Sequence, residues 1–376
     1  MRLIKIAFLS ALLLVIVFFV FSVQEKQENS EKRAEKRTET FQNPAGEKET
    51  YHNDQNKRKE RSCVALPYWV NLGRVEVIEE KEVFYFGIAF DSAGNILKDE
   101  GWRKANTVLK KIDTRPYLII RMVDPKQNAK ILSDKKLREK VIEQALHFTK
   151  SSKGFSGIVL NLEFSPIFYD FLREEINLFV KKFYEESKAA GVRFEFILQA
   201  DSFYRRRPFD IAFLSKQADY FWLMAYDFSS KDGEPGPNFP LFGKEKFGYD
   251  LVSAVEDFSQ YIAPERMGVI FGMYGYEWVV DEEKRPIRRA KALTLRQINK
   301  RYVVNCKPEN CSLTIDPLAK EKEINFVLSE WSEDLNRYII YPRIVYFDDQ
   351  ETVEIKKDEL KKRGINGFCL WAYGYY

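Results

Sequence analysis

Glu163 is the first residue whose setting points to chemistry. It ends Gly157-Ile158-Val159-Leu160-Asn161-Leu162-Glu163, an apolar stretch with strand character. Side chains alternate faces along a strand, so Val159, Asn161 and Glu163 point one way, and flanking apolar strands would carry Glu163 to the rim of a pocket. One acid is thus singled out, with a polar amide two residues earlier. The plainer reading is a buried strand whose last residue reaches solvent.

The remaining reactive types narrow the choices. Two histidines, His52 and His147, cannot supply a metal cluster or a Ser/His/Asp relay, so neither a metal nor a cofactor is expected. Lys plus Arg number 60 and Asp plus Glu 56, a formal net charge of +4. No compact basic block interrupts the apolar part of the chain, which argues against nucleic acid as a partner. Of four cysteines, Cys306 and Cys311 are close enough in sequence to bridge a loop outside a cell, whereas Cys63 and Cys369 fall in apolar strand candidates and read as free, buried thiols.

These residues need elements to position them. From residue 62 onward, short apolar or β-branched runs recur between longer amphipathic stretches, the rhythm of repeated strand and helix units. Eight strands are predicted: 63–70, 83–90, 116–122, 155–162, 193–200, 220–225, 267–274 and 367–372, with clear helical spacers at 135–148 and 171–190. Closure of eight parallel strands gives a (β/α)8 TIM barrel, whose chemistry sits at the carboxyl ends of the strands. Those ends read Tyr68-Trp69, Asp91, Arg121, Asn161 and Glu163, Gln199 and Asp201, Tyr226-Asp227, Tyr274 to Trp278 (including Tyr276), and Trp371. The result is an aromatic, acidic bowl, suited to a sugar ring with apolar faces and a polar edge. A chain with 20 Tyr and 6 Trp would also put several near any strand end without purpose. The spacer at about 279–344 is too long for a simple connection and implies a small α+β insertion.

The amino terminus carries a different message. Residues 6–23 form an almost unbroken apolar run after Met1-Arg2-Leu3-Ile4-Lys5, about the length that crosses a bilayer as a helix. Phe21-Ser22-Val23-Gln24 makes a poor cleavage site, so residues 1–23 are expected to anchor the chain in the membrane; a signal segment removed on secretion is the alternative. Residues 24–61 have too few apolar side chains to offset the entropy of ordering and read as a charged tether. The barrel, 62–376, is then expected outside the cytoplasm.

The quoted motifs resemble the catalytic domain of glycoside hydrolase family 18, the fold of chitinases and of several bacterial peptidoglycan N-acetylglucosaminidases. The strand-six motif stands as Met224-Ala225-Tyr226-Asp227, and strand eight ends as Gly367-Phe368-Cys369-Leu370-Trp371. Gly272-Met273-Tyr274-Gly275-Tyr276-Glu277-Trp278 and Val345-Tyr346-Phe347-Asp348-Asp349 look like the branch that lyses spore cortex or cell wall. In strand four the glutamate is kept as Glu163, but Ser156, Val159 and Asn161 stand where the family has aspartates. The resemblance implies that Glu163 protonates the glycosidic oxygen while the substrate's own N-acetyl carbonyl attacks, the substrate-assisted exception to the two-carboxylate scheme. It further implies that Asn161, Tyr226 and Asp227 hold the acetamido group and the distorted sugar, and that Trp371 lies under the ring. Tyr68, Trp69, Gln199, Tyr274, Tyr276 and Trp278 are the expected sugar contacts. The expected partner is a cell-wall or chitin-like glycan. Two functions stay open: a hydrolase of β-1,4-linked N-acetylglucosamine polymers, or a non-catalytic barrel that binds such glycans.

Overall fold

The computed structural model describes residues 60–70, 82–112, 115–151, 154–165, 169–333 and 336–376. The apolar run at 6–23 and the charged stretch up to residue 59 lie outside them. Among the described residues, no helix is long and apolar enough to cross a membrane.

Seven parallel strands follow in chain order: β1 (Arg61–Pro67), β2 (Glu82–Ile88), β3 (Tyr117–Met122), β4 (Gly157–Leu162), β5 (Arg193–Gln199), β6 (Tyr220–Ala225) and β7 (Met267–Gly272). Five more, β8 (Tyr274–Val279), β9 (Lys291–Thr294), β10 (Cys311–Ile315), β11 (Lys322–Ser332) and β12 (Arg337–Phe347), form a separate antiparallel sheet in the order β10-β11-β12-β8-β9. Then β13 (Gly367–Trp371) pairs with both β1 and β7 and closes an eight-stranded barrel. All eight expected barrel strands are present, with no end displaced by more than three residues.

Strand alternation divides the core in two. Phe84, Phe86, Tyr117, Ile119, Val159, Ile197, Trp222 and Ile270 pack together inside the barrel, while Leu118, Ile120, Ile158, Leu160 and their like turn outward against the helices. The barrel's lower end is filled by the Arg61 guanidinium, 4.5 Å from the Tyr220 ring centre and 5.0 Å from that of Trp222. Its charge is met by the fully buried Glu195 at 2.8 Å, which also accepts from Trp222 Nε1 at 2.7 Å. Helices begin where acids cap them: Asp99 before Glu100–Lys111, Asp124 before Pro125–Ser133, and Asp349 before Gln350–Lys361.

Two expectations are corrected. Cys63 and Cys369 are not free thiols; they form a disulfide. They are directly paired in the β1–β13 register and both face the barrel interior, a proximity that their separation of 306 residues hides from the sequence. Cys306 and Cys311 are also bonded to each other. The second correction concerns the insertion, which begins at Tyr274 rather than near 279 and runs through Phe347. After Gly272 the chain leaves the parallel barrel and β8 pairs antiparallel with β12 and β9. The apolar alternation continues across that point, so the change of partner leaves no mark in the pattern.

The β11–β12 hairpin is paired over eleven residues, from Lys322↔Phe347 to Ser332↔Arg337. Yet β10 covers β11 only over 322–326, and β8 covers β12 only over 343–347. The remainder stands out as a two-stranded arm with Trp331, Tyr338 and Ile340 exposed near its tip.

Candidate active site

Glu163 leaves the end of β4 with its backbone pinned on both sides. Its N–H donates to Met122 O at 2.8 Å, and its carbonyl accepts from the buried Asn128 Nδ2 at 2.9 Å. Asn161 Nδ2 donates to Glu163 Oε1 at 2.8 Å, so the amide and the acid act as one unit. Burial raises the Glu163 pKa above the ordinary carboxylate value and the nearby Asp227 adds to it, against the Asn161 hydrogen bond and the Arg207 charge, which pull it down. Below Asn161, Val159 is fully buried in the barrel interior and offers no charge.

Asn161 Oδ1 and Gln199 Oε1 are buried and have no protein donor. Unpaired acceptors of this kind are rare inside proteins and call for a donor from ligand or water.

Opposite the acid, Tyr226 at the end of β6 and Trp371 at the end of β13 stack, ring centres 6.2 Å apart with planes 19° from parallel. Burial drives the Tyr226 pKa well above the usual phenol value, so its hydroxyl keeps its proton and is available as a donor. Trp371 also meets Phe86 edge-on at 4.9 Å and Trp69 at 6.2 Å, and its peptide bond to Ala372 is cis.

Asp227 has φ of 59°, a left-handed conformation that disfavours side chains other than Gly, Asn or Asp. Its N–H donates to Asn238 Oδ1 at 2.9 Å, and Asn238 Nδ2 in turn reaches Gly272 O and Tyr274 O, each at 3.3 Å. The Asp227 carboxylate accepts from the hydroxyls of Tyr274 and, at 2.7 Å, Tyr276.

The expected contacts therefore fall into groups. Glu163 and Asn161 are joined, Tyr226 and Trp371 are stacked, and Tyr274 and Tyr276 are joined to Asp227. Tyr68 lies against Arg121, whose guanidinium is 4.4 Å from its ring centre, and Trp69 is partly exposed beside Trp371. Trp278 is a correction: it shares the β8 face of Tyr274 and Tyr276 but lies beneath them, its ring centre 5.7 Å from that of Tyr276, with no exposed surface and its Nε1 donating to Gly233 O at 2.9 Å. Two strand-end residues serve their own neighbourhoods. Asp91 accepts from the N–H groups of Ala93 and Asn95, and Asp201 holds Arg205 and Arg207 at 2.7 and 2.9 Å. Arg121, the register partner of Asn161, donates to Gly87 O and pairs with Asp99 at 2.5 Å. Asn238 and Arg207 were missed; both lie in connections without periodicity, where no sequence signal singles them out.

A closed parallel barrel with an acid just past β4, set among stacked aromatics, puts this site at the carboxyl ends of the strands, where such barrels carry their chemistry. The sequence matches Glycosyl hydrolases family 18 over residues 123–375, and the chain belongs to that family. No curated protein matches it. Among solved structures, it is similar to the class V chitinase of Nicotiana tobaccum (TM-score 0.68, 14% identity, covering 85% of this chain and 95% of that one). It is also similar to the spore cortex-lytic enzymes SleL of Bacillus megaterium QM B1551 (0.65, 15%, 85% and 72%) and of Bacillus cereus (0.61, 16%, 85% and 72%).

Proposed function

We propose that the bowl hydrolyses β-1,4-linked N-acetylglucosamine-containing glycan, cell-wall peptidoglycan or a chitin-like polymer, by substrate-assisted retaining catalysis. The observation that carries this reading is the Asn161–Glu163 hydrogen bond beside the Tyr226–Trp371 stack. Glu163, its pKa raised by burial, donates a proton to the bridging oxygen and afterwards takes one from water. The substrate's acetamido oxygen attacks the anomeric carbon, the Tyr226 hydroxyl donates to that oxygen, and the unpaired Asn161 Oδ1 accepts the acetamido N–H. Trp371 supports the sugar face. Family membership and the likeness to two spore cortex-lytic enzymes favour wall glycan as the substrate class.

Asn161 brings no negative charge to the developing oxazolinium, and Val159 brings none from below. Losing one such contact costs roughly 3 kcal/mol, about two powers of ten in rate. That loss favours a second reading, a non-catalytic barrel holding the same glycan. The test is reducing-end release from peptidoglycan or N-acetylglucosamine oligomers by residues 60–376. Product release supports hydrolysis; saturable binding by the folded protein without product across pH supports the second reading.

We further propose that the barrel lies outside the cytoplasm, held to the membrane through residues 6–23, with secretion after cleavage as the alternative. Two disulfides support an oxidising compartment. Recovery of the full-length chain in the membrane fraction, with the barrel open to external protease, is the expected result; mature protein in the medium beginning soon after Val23 would establish cleavage instead.

A further inference from the structure

We infer that Glu321 and Lys356 are positioning residues for Asp227, acting through Asn238. The inference rests on the glycan-site reading of the bowl and adds machinery outside it.

Asp227 keeps its left-handed backbone only while something holds it, and the hydrogen bond from its N–H to Asn238 Oδ1 does so. Asn238 is itself almost fully buried and must be aimed. Both oxygens of Glu321 are spent on this: Oε2 accepts from Asn238 N–H at 2.6 Å and Oε1 from Phe239 N–H at 2.7 Å. A bidentate carboxylate on two successive peptide N–H groups fixes the orientation of that backbone. Glu321 has no exposed surface, and its charge is met by the equally buried Lys356 Nζ at 2.7 Å.

Lys356 uses its three donors on Glu321 Oε1, Phe239 O at 2.8 Å and Asp348 Oδ2 at 2.7 Å. Asp348 is buried too and accepts from Thr352 Oγ1 at 2.9 Å. Residues from the loop after β6, from the turn between β10 and β11, and from the helix Gln350–Lys361 thus meet at one point. None of them reaches the bowl directly.

An apolar trio of similar volume would join the same three segments with less desolvation cost. What the ionic cluster adds is directional: it satisfies and orients two N–H groups one step from the residue that carries Asp227. A site that must hold its groups to a fraction of an ångström loses rate when that support is removed.

The test uses Glu321→Gln and Asn238→Ala, singly and together, in the full chain. Glu321→Gln leaves Lys356 paired with Asp348, one cation to one carboxylate, so no buried charge is left without a partner and the fold is expected to survive. Each single variant is expected to lower kcat on N-acetylglucosamine oligomers by about ten- to a hundredfold with KM changed far less. The double variant is expected to be no worse than Asn238→Ala alone, since both act on one route. Crystal structures of the variants supply a readout that needs no turnover: Asp227 should leave its positive φ and lose the Tyr274 and Tyr276 hydroxyls. If wild type turns nothing over, the hydrolase reading fails while those structures still decide this inference. Variants that melt earlier yet keep Asp227 geometry and kcat, or effects that simply add, would overturn it and leave the cluster as mere glue.

Discussion

The acid in the bowl is tuned by its surroundings, and this has two measurable consequences. As a proton donor, Glu163 must be protonated, and a pKa raised by burial keeps it so above the ordinary carboxylate range. Turnover should therefore persist into that range and fall as pH rises through the raised value, on the alkaline limb of the kcat profile. Glu163→Gln should abolish turnover and leave oligomer affinity within a few-fold, which single-turnover assays and titration calorimetry would check. The same shift bears on stability. A carboxyl whose folded pKa exceeds its unfolded one stabilises while protonated and loses that contribution as pH rises through the folded value. Glu163→Gln should accordingly melt at the same temperature or higher at neutral pH, and an earlier melt would mark Glu163 as structural. Asn161→Asp restores a counter-charge but sets it above Val159, so a gain in turnover is expected only when Val159→Asp accompanies it. Glu163, Tyr226, Asp227 and Trp371 were legible because each ends an apolar run. Asn238 was not, since it lies eleven positions from Asp227 across an irregular loop, and Trp278 misled because alternation tells which face a side chain takes and not how deeply it is covered.

At the scale of elements, the inserted sheet is two structures in sequence. Its inner part is tied to the barrel through Glu321, while among the described residues no strand pairs with either edge of the outer β11–β12 arm beyond Val327 and Pro342. Two-stranded arms gain little stability of their own. Replacing residues 329–340 by a two-residue turn should shift the melting temperature by no more than a few degrees, and removal of Trp331, Tyr338 and Ile340 should raise solubility, as scanning calorimetry and precipitation would show. The cluster behind Asp227 should behave differently. Burial and the Glu321 charge push Asp348 up to about 7, well above its usual value. Its contribution to stability is thus present at low pH and lost as pH rises through about 7. Asp348→Asn should flatten the decline of melting temperature across that interval. The existence of an insertion could be read from a spacer too long for a loop; its start could not, because Tyr274–Val279 continues the same apolar rhythm as β7.

The whole molecule is joined at its seam. The Cys63–Cys369 bond links the first and last barrel strands across 306 residues, whereas Cys306–Cys311 closes a loop of separation five. In the chain-entropy account, the longer closure constrains the unfolded chain far more. Reduction, or Cys63→Ser with Cys369→Ser, should cost about 2–5 kcal/mol, while the Cys306/Cys311 pair replaced by serine should cost much less; denaturant titrations would compare them. Eight strands and their closure were plain from the repeated strand–helix rhythm, but the seam bond was not, because register between distant strands has no local trace.

The same seam fixes a timetable for synthesis. Seven strands can be made and begin to pair while β1 still exposes one bare edge, and only Gly367–Trp371 supply the strand that covers it. An unpaired edge is an invitation to pair wrongly with another chain. The thiol on β1 must wait for a partner 306 residues further along, so its oxidation marks a closed barrel, and a chain cut short before Gly367 leaves that edge open, unsealed and prone to aggregate.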